Sequence, residues 1–419
     1  MPLHPDQNDR PPLHRPQLKR RDVLRGGAFI AAGVGAAPLL AACGGDSGAG
    51  AGATDYPLAT PDSPVKLPIF DDNQPIADGQ DIEDVAVLKV LNYADYIAPK
   101  VKKNFSEEYG LTIEVTPYNN YDEMISKLTQ PGAAFDVVFP GPTVLSQMVY
   151  GQLLQPFNQT YIPNLKNVWP EYQDPWYDQG AQYTVPYTVY TSGIGYRADR
   201  VQDTSAGYQM LWDPAYADKV GVIDDAFEAL SMSMLAWDIS QDINTGDPEI
   251  INAAKDKLLE LAQYNVQIDI TQYETIPTGK FTVHQAWSGD LIAGRWYLPS
   301  GETPEVLGYW VPESSSERVI SNDCIAIPKS SPSPVLAHTF VNYMIDNDVS
   351  LTNFTWNGYQ PPLTKLDSKY LIDQGLIPEN LLSAVVVPED FEVGLQQYEM
   401  PLETQNLWLG AFQEFQSGA

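Results

Sequence analysis

Three places in this chain set carboxylates or aromatic rings at the end of a strand-like run. Asn92-Tyr93-Ala94-Asp95-Tyr96 follows Val87-Leu88-Lys89-Val90-Leu91, and Asp224-Asp225-Ala226-Phe227-Glu228 follows Val220-Gly221-Val222-Ile223. Trp287-Ser288-Gly289 follows Phe281 to Ala286. The chemistry open to such groups is recognition of positive charge. A carboxylate pairs with a desolvated ammonium, and an aromatic face adds a cation–π contact of about 0.5–2 kcal/mol. Taken singly, each also reads as a helix-capping aspartate or a core aromatic. Their repetition at equivalent junctions is what counts, because open α/β sheets bind ligands outside the carboxyl ends of their strands.

No comparable pattern points to catalysis. H-E-x-x-H, G-x-S-x-G and G-x-x-x-x-G-K-[ST] are all absent. His284 and His338 stand far apart, without a neighbouring His or Cys at metal-ligand spacing. No metal and no cofactor are expected, and both histidines read as satisfied structural residues, His338 at the surface or its boundary. Carboxylates are plentiful enough for a two-carboxylate glycosidase, but no spacing singles out a pair. The chain is expected not to be an enzyme, with a lipid-anchored extracellular hydrolase as the weaker alternative.

The elements that must hold these groups alternate. Ile97, Val101, Phe105 and Tyr109 recur every four residues as one helix face, which Gly110 ends. Leu111, Ile113 and Val115 alternate as a strand, and Tyr121, Met124, Ile125 and Leu128 mark a second helix. Phe135–Phe139 is a short apolar run suited to burial on both faces, with a helix over 143–150 after it. Farther on, 192–196, 220–224, 281–287 and 306–311 read as strands, and 225–237, 248–261 and 334–345 as helices. Asp247-Pro248 is an N-cap followed by proline at the first helical position. This alternation indicates an α/β fold with mainly parallel sheet. A body of this length exceeds one comfortable core, so two lobes are expected.

The formal net charge is −30. Nucleic acid is excluded as a partner, since phosphate binding needs a basic patch, whereas cations are drawn toward such a surface. The first residues contrast with the rest. Lys19-Arg20-Arg21-Asp22-Val23-Leu24-Arg25 is a twin-arginine run, Gly26–Leu40 is apolar and uncharged, and Leu40-Ala41-Ala42-Cys43 is a lipobox. This reads as an export leader over 1–42 with Cys43 as the lipidation site. The expected location is lipid-anchored, on the outer face of the membrane or in the periplasm. From Gly44 to about Lys66 the chain reads as a flexible tether, and 67–86 as an irregular lead-in. Cys324, left alone, reads as a buried small hydrophobe in a strand.

The junctions described above are also where the chain resembles a known family. From about Leu88 onward it is similar to the periplasmic spermidine/putrescine-binding proteins, type II solute-binding proteins of ABC importers. The matching segments are Leu91–Tyr96, Phe135–Pro140, Val185–Tyr187, Gly193–Tyr196, Ile223–Glu228, Ala286–Gly289, Asp323–Pro328 and Gly358-Tyr359-Gln360-Pro361. The resemblance implies a two-lobed fold, each lobe a mixed, mainly parallel sheet flanked by helices. Lobe 1 would comprise 87–190 plus 323–365, and lobe 2 would comprise 191–322 plus 366–419. Crossings would fall near Thr188–Ser192 and Ile320–Asp323, with a cleft that closes around its ligand. It further implies Tyr93, Asp95, Tyr96, Asp225, Glu228, Trp287, Asp323 and Tyr359 as ligand residues for a polyamine or related amine, or else a zwitterionic solute. The other implied partner is a membrane permease, and the protein would act as a monomer. The chain departs from the family pattern at Tyr93 and Ser321, where tryptophan is usual, and at Gly141 and Thr143, where serine and tyrosine are usual. A family glutamine falls at Gln396 or Gln397.

Overall fold

The computed structural model describes residues 56–418; the expected leader, the expected lipidation site at Cys43 and the first part of the expected tether lie outside them. The first βαβ units are β1 (Val87–Asn92), α1 (Pro99–Tyr109), β2 (Thr112–Pro117), α2 (Tyr121–Leu128), β3 (Val137–Val138), α3 (Leu145–Tyr150) and β4 (Leu154–Gln155). Gly110 ends α1 in the left-handed conformation, φ 70°, where a residue without Cβ carries no steric penalty. The chain continues through β5 (Thr184–Arg197), β6 (Val220–Ile223), α4 (Ala226–Ala236), α5 (Pro248–Leu259), β7 (Gln267–Asp269), β8 (Val283–Trp287), α6 (Ser288–Ala293), β9 (Leu307–Trp310) and β10 (Val319–Pro328). The main closing elements are α7 (Pro334–Met344), α8 (Asn347–Asn357), β11 (Leu395–Gln396) and α9 (Leu402–Gly418).

The strands form one sheet whose central order is β2-β1-β3-β10-β5-β8-β6-β7. Its two ends carry separate apolar cores. Leu88, Val90, Phe105, Phe139 and Phe340 belong to one, and Val222, Leu230, Ile251, Trp408 and Phe415 to the other. A smaller cluster around Ile292, Leu307, Tyr309 and Leu376 shares Leu351 and Tyr370 with the first core. β5 and β10 run between the cores, paired antiparallel from Val319↔Ser192 to Ala326↔Thr184. The mixed, two-lobed α/β architecture expected from the sequence is therefore present.

Two boundaries differ from the expected ones. Part of the stretch assigned to the second lobe returns to the first: Val386 and Phe391 enter the first core, and Phe391 packs on Tyr172 with ring centroids 4.2 Å apart. The described end of the expected tether is also packed against the body. Ala59 and Leu67 are buried, Val65 N donates to Trp176 O at 3.0 Å, and Tyr56 stacks on Tyr150 at 4.7 Å. Gly- and Pro-rich composition marks a segment without helix or strand, but it does not exclude a strap anchored by a few apolar side chains.

Candidate functional site

The turn after β1 aims three side chains into the space between the lobes. Asn92 Oδ1 accepts from Tyr93 N at 2.7 Å, and Asp95 takes a positive φ of 55°, a conformation aspartate tolerates better than bulkier residues. Tyr93 is half-buried, Asp95 exposed and Tyr96 buried. The Tyr96 hydroxyl donates to Asp323 Oδ2 at 2.6 Å, and Tyr121 donates to Oδ1 at 2.8 Å. Asp323 comes from β10 beside a bulge: Asp323 pairs with Thr188 and Cys324 with Pro186, leaving Tyr187 unpaired. A bulge re-aims side chains, and Tyr187 uses its hydroxyl to hold Tyr96 O at 2.6 Å. Burial pushes the Asp323 carboxyl up to about 6, opposed by the two tyrosine hydrogen bonds.

Asp225 and Glu228 open α4 with the spacing of a capping box, and the structure completes only half of that motif. Asp225 caps the helix, its Oδ1 accepting from Glu228 N at 3.0 Å. Glu228 turns away into the cleft, where Oε1 accepts from Trp287 Nε1 at 2.8 Å and Ser192 Oγ at 3.0 Å. Burial raises Glu228 to about 7, with the Asp225 charge adding to it. Asp225 is also raised, first by burial. Trp287 ends β8 and Tyr359 follows α8; the two rings flank Tyr190, at 6.1 and 5.7 Å.

All eight residues expected at the site line one trench with two halves. The half toward β1 has a volume of about 180 Å³ and holds Asp95, Tyr96, Asp323 and Tyr359. The half toward α4 has about 260 Å³ and holds Asp225 and Glu228. Tyr93, Tyr190 and Trp287 line both and form the divide. Asp95 therefore sits at the outer rim, apart from the Asp225–Glu228 pair. No lysine or arginine lines either half.

Sequence reasoning missed several lining residues. Asp290, three places after Trp287, is buried and accepts from Tyr359 Oη at 2.8 Å through Oδ1, while its Oδ2 has no partner. Burial pushes it up to about 7. Gly289 makes this contact fit, since a Cβ there would come within 2.4 Å of the Tyr359 ring. Asp290 directly follows the Trp287-Ser288-Gly289 junction, but nothing local pairs it with Tyr359. Helical periodicity assigns Tyr121 only to the apolar face of α2, yet both it and Asp122 line the trench. Of the two glutamine candidates, Gln397 lines the trench, while Gln396 accepts from Trp176 Nε1 at 2.8 Å.

The remaining reactive types are structural. Cys324 is buried, and burial pushes its thiol up to about 12. His338 is buried, a correction to the surface position expected. Its Nε2 accepts from Asn158 N at 3.0 Å, so the proton sits on Nδ1, which donates to Pro334 O at 2.6 Å. His284 is fully buried, its Nε2 3.4 Å from Asp269.

A family model described as bacterial extracellular solute-binding protein matches residues 100–374. Among curated relatives, a spermidine/putrescine-binding periplasmic protein of Haemophilus influenzae is 27% identical over 61% of this chain and 69% of its own length. A putrescine/cadaverine-binding protein of Pseudomonas aeruginosa is 26% identical over 64% of this chain and 77% of its own. Among solved structures, a spermidine/putrescine ABC transporter substrate-binding protein from Streptococcus pneumoniae superposes with a TM-score of 0.61 at 23% identity, covering 80% of this chain and 99% of that one.

Proposed function

Because the chain belongs to the bacterial extracellular solute-binding protein family, we propose that it is the receptor of an ABC importer that captures a polyamine in the trench and hands it to a membrane permease. The observation that carries this reading is the sign of the trench. Asp122, Asp225 and Glu228 line one half and Asp95, Asp290 and Asp323 the other, with no cationic side chain among the lining residues. Buried carboxylates without a counter-charge are costly, and Asp323, Glu228 and Asp290 are all pushed toward neutrality by that burial. A ligand with ammonium groups relieves the cost. Its methylenes suit the divide of Tyr93, Tyr190 and Trp287, which offers apolar area and cation–π faces. Among the described residues no three His, Cys, Asp or Glu side chains come close enough to hold a metal ion, which favours an elongated organic cation over a compact inorganic one.

The relatives named for spermidine, putrescine and cadaverine support the same class of ligand. An extracytoplasmic location follows from the family, and the lipobox at Cys43 supports membrane anchoring. No described helix is long and apolar enough to cross a membrane.

Thermal unfolding of the soluble body with putrescine, cadaverine, spermidine, spermine and free amino acids tests the reading. A true ligand at about 100 times its dissociation constant stabilises by about 2.7 kcal/mol. A response to amino acids alone would replace the polyamine reading by a zwitterion-binding one, and no response to any amine would remove it.

A further inference from the structure

Tyr121 stands at the first position of α2, and that position is fixed twice. Asn120 Oδ1 accepts from Glu123 N at 2.9 Å, and Glu123 Oε2 accepts from Asn119 N at 2.9 Å. So held, the ring meets Tyr93 edge-on, centroids 6.4 Å apart, and its hydroxyl donates to Asp323 Oδ1 at 2.8 Å. The space for it depends on glycine at 141, where a Cβ would stand 2.3 Å from the Tyr121 hydroxyl oxygen. Ser321, two residues from Asp323 on β10, lines the same half of the trench and is too small to wall it. The Tyr121 ring supplies surface on that side.

The other oxygen of Asp323 is held by Tyr96. Tyr96 has one hydroxyl proton and gives it to Asp323, so Thr188 Oγ1, 2.6 Å away, donates to Tyr96. The hydroxyl protons of both tyrosines are thus committed to the carboxylate, and once Asp323 is ionised the group formed by Asp323, Tyr121 and Tyr96 has acceptors to offer and no free donor. An ammonium that still carries N–H bonds can use those acceptors. A fully methylated ammonium cannot: it keeps only its charge attraction to a carboxylate that already holds its two tyrosine hydrogen bonds, and gains none of the charge-assisted hydrogen bonds that an N–H-bearing ammonium makes.

We propose that Tyr121 is a positioning and specificity-determining residue: seated by Gly141 against Asp323, it completes an acceptor-only cradle that selects N–H-bearing ammonium groups over fully methylated ones. This rests on the amine reading above and deepens it. The titratable groups around Asp323, besides Tyr121 itself, are Tyr93 and Tyr96 from the turn after β1, Tyr118 after β2, Tyr187 and Tyr190 from β5, Tyr359 after α8, and Cys324 on its own strand. Asp225 and Glu228 share Tyr93 with it from the other lobe. The Tyr121 hydrogen bond opposes the burial that raises Asp323, so its loss moves the Asp323 titration to higher pH.

The test is calorimetric binding of putrescine and of its bis-trimethylammonium analogue to the wild type and to Tyr121→Phe between pH 5 and 8. A hydrogen bond to a charged group accounts for about a tenfold change in affinity. Tyr121→Phe is expected to bind putrescine about tenfold more weakly, with its acid limb at higher pH and, at pH 8 where Asp323 is ionised, its affinity for the methylated analogue unchanged. Gly141→Ala, which displaces the phenol sterically, should reproduce the loss. Equal affinity and an unmoved acid limb in Tyr121→Phe overturn the proposal. If the wild type takes no amine, the polyamine reading has failed. The positioning of Asp323 by Tyr121 is then judged on the ligand-free protein by carbon NMR titration of Asp323, where an unchanged midpoint in Tyr121→Phe overturns it and a raised one supports it.

Discussion

At the scale of single residues, Glu228 shows how one carboxylate serves two masters. Two donors, Trp287 Nε1 and Ser192 Oγ, are spent on Oε1, and Gln285 Nε2 approaches Oε2 at 3.4 Å. The side chain is buried, so its position is fixed before any ligand arrives, and its charge is what remains to be satisfied. Glu228→Gln keeps an oxygen for Trp287 and Ser192 and removes the charge. The expected result is a folded protein, at least as stable as wild type at pH 8 without ligand, and weaker amine binding by about tenfold or more, since charge-assisted hydrogen bonds count for about 1.5–3 kcal/mol. Calorimetry on the variant decides it: unchanged affinity takes Glu228 out of the site. The same logic separates Asp225 from Glu228. Asp225 already caps α4, so its loss costs helix stability as well as charge, and a variant there reports on both at once.

At the scale of elements, the sequence revealed what is periodic and hid what is closed by distant partners. The faces of α1 and α2, the cap at Gly110 and the strand at Val220–Ile223 follow from local spacing, and Cys324 was legible because a lone cysteine in an apolar run is usually buried. The strap before β1 was not legible. Glu83 shows why: its two carboxylate oxygens accept from Val335 N at 3.0 Å and Leu336 N at 2.9 Å, across 252 and 253 residues of sequence. Those donors open α7, whose own N-cap Ser333 makes no side-chain capping bond, so a residue from the strap does the capping. Asp290 was hidden for a related reason, since its partner Tyr359 lies 69 residues away. Glu83→Ala is therefore expected to destabilise the body by about 0.5–2 kcal/mol, the usual cost of a lost helix cap. Amine affinity should stay the same. Urea unfolding measures the first and calorimetry the second; an unchanged urea midpoint would show that α7 does not depend on the strap.

At the scale of the whole molecule, the trench couples ligand binding, pH and stability through carboxylates held by both lobes. Glu228 and Asp290 are raised to about 7 and Asp323 to about 6, in each case first by burial. In the unfolded chain such groups titrate near 4. The folded, ligand-free protein therefore holds protons between pH 4 and 7 that the unfolded chain has released. By linkage, that contribution to stability is fully present below the unfolded value and is lost as pH rises through the folded one. The ligand-free melting temperature is thus expected to fall between pH 5 and 8. The complex behaves oppositely, because bound ammonium groups favour the ionised carboxylates. Ligand amines near pKa 10 remain charged throughout this range, so the pH dependence of binding belongs to the protein. Each carboxylate that must release a proton contributes up to about a tenfold loss of affinity per pH unit below its ligand-free value. The ligand-induced rise in melting temperature should therefore be small at pH 5 and grow toward pH 8. Scanning calorimetry of free and amine-saturated protein across that range gives both curves, and a rise of the same size at every pH would mean that the trench carboxylates do not hold the ligand.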